Sequence, residues 1–159
     1  AILCYSTVSE VRRVNERALT SMPAERRHAR RRRLGPILWI SLVFWAITIL
    51  WLSSLPPQQL PEAAFLFWDK LNHFCAYAIG GWLASAAVRV SWPRTGVVGA
   101  VVIGIALISA FGILDEAFQT LTPGRSGRAI DDWIADVLGA GAGALLTVPT
   151  LRRLTFGRG

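Results

Sequence analysis

The chain alternates between long apolar runs and short polar segments, a pattern that predicts membrane-crossing helices. The first run extends from Ile37 to Leu55, the second from Leu71 to Val88 and the third from Thr95 to Leu114. At about 1.5 Å per residue, about twenty helical residues match a hydrocarbon core about 30 Å thick. A fourth helix is predicted from about 131 to 147 or 148.

The segments between these runs carry residues that interrupt helices. Pro56 and Pro57 follow the first run, and Pro123 and Gly124 lie between the third and fourth. A cleaved signal peptide is the competing interpretation of the first run, but no small-residue cleavage site follows it. The predicted fold class is therefore an all-α membrane protein, a bundle of four transmembrane helices.

Composition supports a membrane protein. Hydrophobic residues make up 53% of the 159 residues and charged residues only 17%, too few to cover a soluble domain of this size. A net charge of +7 would favour nucleic acid as a partner of a soluble protein. Because arginines crowd the segment before the first apolar run, anionic lipid headgroups are the predicted partner, and nucleic acid is not.

The distribution of basic residues predicts the orientation. With the N-terminus inside, fourteen of the seventeen Lys and Arg residues are cytoplasmic, and only Lys70, Arg125 and Arg128 lie outside. Both termini are therefore predicted to be cytoplasmic. The predicted divisions are a basic N-terminal tail (1–36), a transmembrane domain (37–148) and a basic C-terminal tail (149–159). Residues 1–21 are expected to be an upstream extension, because Met22 resembles a natural start.

This topology gathers polar residues near the extracytoplasmic ends of three helices. They are Asp69, Lys70, His73, Asp115, Glu116, Gln119, Arg125, Asp131, Asp132 and Asp136. A spacing of four residues should place Asp69, His73 and Tyr77 on one helix face, and likewise Asp115 with Gln119 and Asp132 with Asp136. Interhelical hydrogen bonds that fix the bundle are one explanation, and a functional site is the other.

The residue types in this cluster suggest two kinds of chemistry. His73 with Asp115 or Glu116 could transfer protons, and these three are the catalytic candidates. Arg125 and Ser126 precede the fourth helix, where a helix N-terminus favours an anion, although Arg125 could instead pair with Asp115 or Glu116. No spacing is specific to a metal, so no metal and no cofactor is predicted.

Small residues recur at helical spacing in two of the predicted helices. They are Ala76, Gly80 and Ala84, and then Ala135, Gly139 and Gly143. Such residues let helix backbones approach closely. Packing within one bundle is the favoured interpretation, and a homo-oligomer or a partner membrane protein is the alternative.

The order of these motifs resembles the VanZ-like family over about residues 37–148. The matching segments are Asp69-Lys70-Leu71-Asn72-His73-Phe74 with Tyr77, Asp115-Glu116 with Gln119, Pro123-Gly124-Arg125-Ser126, and Asp132-Trp133-Ile134-Ala135-Asp136 with Gly139. Asp136 stands where family members often carry Asn. The resemblance implies a protein of a bacterial cell (inner) membrane that acts in the cell envelope and is linked to resistance to the glycopeptide teicoplanin.

Three functions are compatible with these features. The first is binding of an anionic lipid or a lipid-linked wall precursor at the extracytoplasmic face, with Arg125 and Lys70 as anion contacts. The second is an intramembrane enzyme that uses His and carboxylate acid–base chemistry, and the third is a membrane scaffold subunit. The predicted ligand-binding residues are Asp69, Lys70, His73, Tyr77, Asp115, Glu116, Gln119, Arg125, Ser126, Asp132 and Asp136.

Overall fold

The computed structural model describes residues 24–56, 59, 69–124 and 130–149, with side chains described from residue 31 onward in the first helix and from residue 70 in the second. The helices are α1 (Ala24–Ser53), α2 (Asp69–Ser91), α3 (Gly96–Gln119) and α4 (Ile130–Leu146), and a short 3₁₀ turn, Pro93–Thr95, joins α2 to α3. These described ranges contain no strand. The prediction of an all-α fold is confirmed.

Three segments are long and apolar enough to cross a membrane. They are Arg31–Ser53, Lys70–Ser91 and Pro93–Gln119. The prediction of a membrane protein with spanning helices is therefore confirmed for these three. α4 has 17 residues, which is the lower limit of the range of about 17 to 25 that spans a bilayer, and it is not one of the three.

The start of the first helix differs from the prediction. The helix was expected from Ile37, with Pro36 in its first turn, but α1 already includes Ala24 and has Pro36 in its interior. The residues before Pro36 are mostly Arg and Ala, which favour helix, so the helix continues through this position although a proline removes one backbone hydrogen bond and crowds the preceding turn. The predicted boundary between the basic tail and the transmembrane domain therefore falls inside one helix.

The α2 helix lies at the centre and contacts each of the other three helices. Glycines bring its backbone very close to that of α4: a Cβ atom on Gly139 would overlap the carbonyl of Phe74, and one on Gly143 would overlap the carbonyl of Ala78. In the same way, Gly81 lies against the backbone of α4 at residue 140. The small residues of the fourth helix are therefore used for packing within the chain.

The outer faces of the helices are apolar and the interior is partly polar. Phe44 on α1 is 71% exposed, Val98 on α3 is 77% exposed and Leu146 on α4 is 72% exposed, whereas Asp115 and Asp136 are almost completely buried. This arrangement is the reverse of that in a soluble protein and is suited to lipid hydrocarbon.

The bundle has a basic end and an acidic end. At the basic end, Trp39 of α1 donates a hydrogen bond to Ser91 of α2 over 2.9 Å, one α1 turn or more from the arginines at 31–33. At the opposite end, Thr122 donates a hydrogen bond to the Ser53 carbonyl over 3.0 Å, which places the end of α1 beside the end of α3. The acidic residues at the ends of α3 and α4 share this second end with Lys70.

Candidate functional site

The centre of the candidate site is a hydrogen bond between α2 and α4. His73 Nδ1 lies 2.9 Å from Asp136 Oδ1, and the Asp136 side chain is fully buried while that of His73 is 15% exposed. His73 lies in the second turn of α2, and the nearby backbone contact between Phe74 and Gly139 holds the two helices together beside it. The close helix packing thus sets the distance between the two side chains.

The third helix contributes a second buried carboxyl group to this pair. Glu116 of α3 is 5% exposed, and one possible ligand atom from each of His73, Glu116 and Asp136 lies within 4.8 Å of the others. The third apolar run ends at Leu114, but the helix α3 continues to Gln119 and therefore includes Glu116. Three helices therefore deliver one ionisable side chain each to a common point.

A neighbouring group of hydrogen bonds surrounds Asp115. Its Oδ2 accepts one bond from the Tyr77 hydroxyl at 3.2 Å and another from the Gln119 amide at 3.1 Å. Tyr77 is 1% exposed and its ring packs edge-on against Trp45, with centroids 5.5 Å apart. The ring of His73 stacks on that of Tyr77 at 6.3 Å, so the Asp115 group and the His73–Asp136 pair are adjacent.

Lys70 occupies the outer edge of the cluster. Its ammonium group lies 3.1 Å from Asp131 and 3.4 Å from Asp132, both in the first turn of α4. The Asp131 side chain is 73% exposed and that of Lys70 is 35% exposed, so this ion pair faces the surroundings of the bundle. Two carboxylates therefore already engage the ammonium group that was expected to contact an anion.

The predicted helix faces agree with the contacts. His73 and Tyr77 lie one above the other on α2, Asp115 and Gln119 are hydrogen-bonded on α3, and Asp132 and Asp136 both reach α2. The structure pairs His73 with Asp136 and places Glu116 close to both, and the suggested role of Asp115 or Glu116 as a catalytic partner of His73 stays a prediction.

Three predicted site residues cannot be placed in this arrangement. Arg125 and Ser126 lie outside the described residues, and Asp69 begins α2 with a side chain that is also outside the described part. The predicted pairing of Arg125 with Asp115 or Glu116 therefore stays a prediction.

One residue at the site was missed by the sequence reasoning. A Cβ atom on Gly112 would lie 3.1 Å from Asp136 Oδ2 and 3.3 Å from the Tyr77 ring, so this glycine leaves room for both side chains. The sequence gives one indication of this role, because Gly112 lies four residues before Glu116 and therefore on the same face of the helix.

Comparison of this chain with protein-family models, curated proteins and solved structures gave no match. The chemistry of the site therefore has to be argued from its own geometry. A partly buried imidazole held by one carboxylate, with a second carboxyl group nearby, can accept, hold and return a proton or contribute ligands to a cation.

Proposed function

We propose that this protein is a multi-pass protein of a bacterial cell membrane, similar to the VanZ-like family, whose partly buried histidine and buried carboxyl groups transfer protons in a reaction of a lipid-linked substrate. The observation that carries the proposal is the 2.9 Å pair between His73 and Asp136, with Glu116 from a third helix beside it. Each group comes from a different helix, so the cluster is a product of the tertiary fold.

The energetics of membrane proteins support a functional explanation for this cluster. An ionisable side chain costs about 2.5 to 3.5 kcal/mol at the bilayer centre on insertion scales and less near the interface, where this cluster would lie, and such residues usually mark pathways or reactive sites. Neutral interhelical hydrogen bonds would fix the bundle at a lower cost. Glycine contacts also hold α2 against α4, so the His73–Asp136 pair is not the sole interaction between these two helices.

The pair has the geometry of a histidine oriented by a carboxylate. When Nδ1–H donates to Asp136, Nε2 is left as the proton acceptor, and the carboxylate stabilises the imidazolium that forms. Glu116 supplies a second group that can exchange a proton. His73 and Glu116 would then act as acid and base, and Asp136 would position the ring.

The location of the cluster supports a substrate with a headgroup. His73 lies near the start of α2 and Glu116 near the end of α3, close to the level at which Lys70 meets the first turn of α4. Apolar outer faces surround this end, as at Leu121, which is 76% exposed. A lipid-linked wall precursor has both a hydrocarbon tail and a polar reactive group, and the VanZ-like resemblance favours the cell envelope.

The proposed topology has four spans and cytoplasmic termini. α4 contacts α2 along its length and has large apolar side chains on its outer face, including Leu138 and Leu145, which supports a fourth crossing. The basic end of the bundle would face the cytoplasm and the acidic end the outside. Trp39 and Trp92, with ring centroids 5.8 Å apart at the basic end, suit a headgroup interface.

Two contacts among the described residues weigh against the two other hypotheses, while Arg125, an anion contact of the binding hypothesis, lies outside those residues. An anion contact at Lys70 would have to displace Asp131 and Asp132, whose negative charge also lies at the N-terminus of α4. A scaffold surface built from Gly139 and Gly143 would compete with α2 of the same chain.

The proposal can be tested by lipid mass spectrometry of bacteria that express the chain. The wild-type protein should change the amount of at least one lipid-linked species relative to an empty vector, and His73→Asn and Glu116→Gln should remove at least about nine-tenths of that change because each lacks one proton-transfer group. The teicoplanin concentration that inhibits growth should follow the lipid change.

Matched controls at the same depth separate chemistry from loss of folding. Cys75→Ser alters an exposed residue two positions from His73, and Phe118→Leu alters a 38% exposed residue two positions from Glu116. Both should keep the wild-type lipid profile at equal amounts of inserted protein. If the wild type leaves the lipids unchanged, or if the two site variants act like the wild type, the proposal is wrong.

A further inference from the structure

The residues of the proposed acid–base site also form a set of metal ligands. His73 offers an imidazole nitrogen, and Glu116 and Asp136 each offer a carboxylate oxygen, with the three atoms within 4.8 Å of one another. Zinc binds imidazole nitrogen and carboxylate oxygen at about 2.0 to 2.2 Å, so tetrahedral ligand atoms lie about 3.4 Å apart. The 2.9 Å between His73 Nδ1 and Asp136 Oδ1 is about 0.5 Å shorter than this, so a bound ion would replace that hydrogen bond, and small side-chain rotations would bring the three donors to zinc-binding distances.

A buried oxygen without a hydrogen bond points independently to a ligand. Asp136 Oδ1 binds His73, but Oδ2 is buried and has no hydrogen-bond partner among the residues that the structure describes. This oxygen faces α3 near Gly112, one turn before Glu116, because a Cβ atom there would lie only 3.1 Å away. An unsatisfied buried acceptor is costly, and a bound cation would satisfy it.

The charges around this point also favour a cation. Asp115, Glu116 and Asp136 are each at most 5% exposed, so three buried carboxyl groups lie in this part of the bundle. A divalent ion held by two of them would reduce the repulsion and the cost of burying their charge.

We propose that His73, Glu116 and Asp136 bind one divalent transition-metal ion, and that Zn²⁺ fits these donors best. Three protein ligands leave one coordination position for water or for a substrate oxygen, as in catalytic zinc sites. The hydrogen bonds from Tyr77 and Gln119 hold Asp115 beside the ion as a neighbouring charge. An ion here would polarise a substrate oxygen or acidify a bound water.

This inference deepens the proposed function and rests on it for the role of the site: with the ion bound, a water on the ion would exchange the proton in place of His73 and Glu116. Metal binding can be measured without any activity. It departs from the sequence-based expectation of no metal. The three donors lie at positions 73, 116 and 136, so they form no short motif, and only the packing of three helices brings them together.

The test is metal analysis of the full chain purified in detergent. After treatment with a chelator and addition of ZnCl₂, followed by removal of unbound ion, the wild type should retain about one Zn²⁺ per chain. Glu116→Gln and His73→Asn should weaken Zn²⁺ binding at least about a hundredfold, because each removes a ligand from a three-ligand set. X-ray absorption of the bound zinc should show nitrogen and oxygen ligands at about 2.0 to 2.2 Å.

Asp131→Asn is the matched control for binding to surface carboxylates. It removes an acidic group that is exposed and engaged by Lys70, so Zn²⁺ binding should stay within about twofold of the wild type. Stoichiometric binding of Mn²⁺ that depends on Glu116 would also support the site, because carboxylates suit this ion. Absence of stoichiometric binding of either ion, or equal binding by the wild type and Glu116→Gln, would overturn the inference.

The two proposals can fail separately. If zinc binds through these residues but the His73 and Glu116 variants leave the lipids unchanged, the metal site stands and the proposed reaction does not. If the lipid change needs both residues in a protein that binds neither ion, the proton-transfer function stands and the metal site does not. Glu116→Gln preserves side-chain size, so it remains informative if His73→Asn fails to fold.

Discussion

At the scale of single residues, Asp115 depends on donors from two helices. Its Oδ2 accepts hydrogen bonds from Tyr77 of α2 and Gln119 of α3, and the carboxyl group is buried. The tyrosine ring also packs against Trp45 and Phe111, so its hydroxyl is held in place. This hydroxyl therefore joins α2 to α3 by a hydrogen bond directly beside the candidate site.

Tyr77→Phe should lower the free energy of unfolding by about 1 to 2 kcal/mol, because the ring stays packed while Asp115 loses one of its two donors. Denaturant titration of the purified protein in detergent measures this change. Thr120→Val is the control, since it removes an exposed hydroxyl that donates a hydrogen bond to the Ala117 carbonyl in the last turn of α3, and it should cost less than about 0.5 kcal/mol. Equal stability of Tyr77→Phe and the wild type would contradict the assigned role of the hydroxyl.

The sequence predicted which side chains are neighbours on one helix, but it did not predict which side chains meet between helices. A spacing of four residues correctly placed His73 over Tyr77 and Asp115 beside Gln119. The pairing of His73 with Asp136 depends on how α2 and α4 are rotated and shifted against each other. No local sequence pattern contains that information. For the same reason, the sequence did not predict that His73, Glu116 and Asp136 lie together.

At the scale of elements, the contact between α2 and α4 depends on glycines that have no room for a side chain. Gly139 and Gly143 face the backbone of α2, whereas Gly141 on the same helix has no atom within 4 Å of its Cβ position. The spacing of small residues predicted a closely packed helix face, but only the structure shows that this face packs against α2 of the same chain. The start of α1 was predicted wrongly because proline was taken as a helix start.

Gly143→Ala should destabilise the protein by about 1 to 3 kcal/mol, because its Cβ atom would overlap the Ala78 carbonyl and force the helices apart. Gly141→Ala is the matched control on the same helix. It adds the same methyl group into open space and should be neutral or stabilising by up to about 1 kcal/mol. Thermal unfolding in detergent compares the two, and equal effects would show that α2 and α4 are not packed as described.

At the scale of the whole molecule, the separation of basic and acidic ends implies an orientation in the membrane. Hydropathy and arginine counts were enough to predict three spanning segments and the end at which the polar residues gather. The role of α4 could not be decided in this way, since its 17 residues are at the limit for a span.

Labelling of single cysteines with a membrane-impermeant maleimide tests this orientation, in a chain whose native cysteines are replaced by serine. Thr120→Cys should be labelled in intact spheroplasts, and Arg94→Cys and Pro149→Cys should be labelled only after the membrane is opened. All three positions are exposed on the protein. Labelling of Pro149→Cys from outside would show that α4 does not cross, and labelling of Arg94→Cys from outside would reverse the orientation.

The backbone contact at Gly139 has a consequence for how such a protein could change over time. Phe74, whose carbonyl it touches, is next to His73 in sequence, and Asp136 lies one turn before the glycine. A lineage that enlarged residue 139 would widen the gap between the helices and separate the imidazole from its carboxylate in the same step. A substitution at this one position would thus change both the distance between the helices and the chemistry of the site.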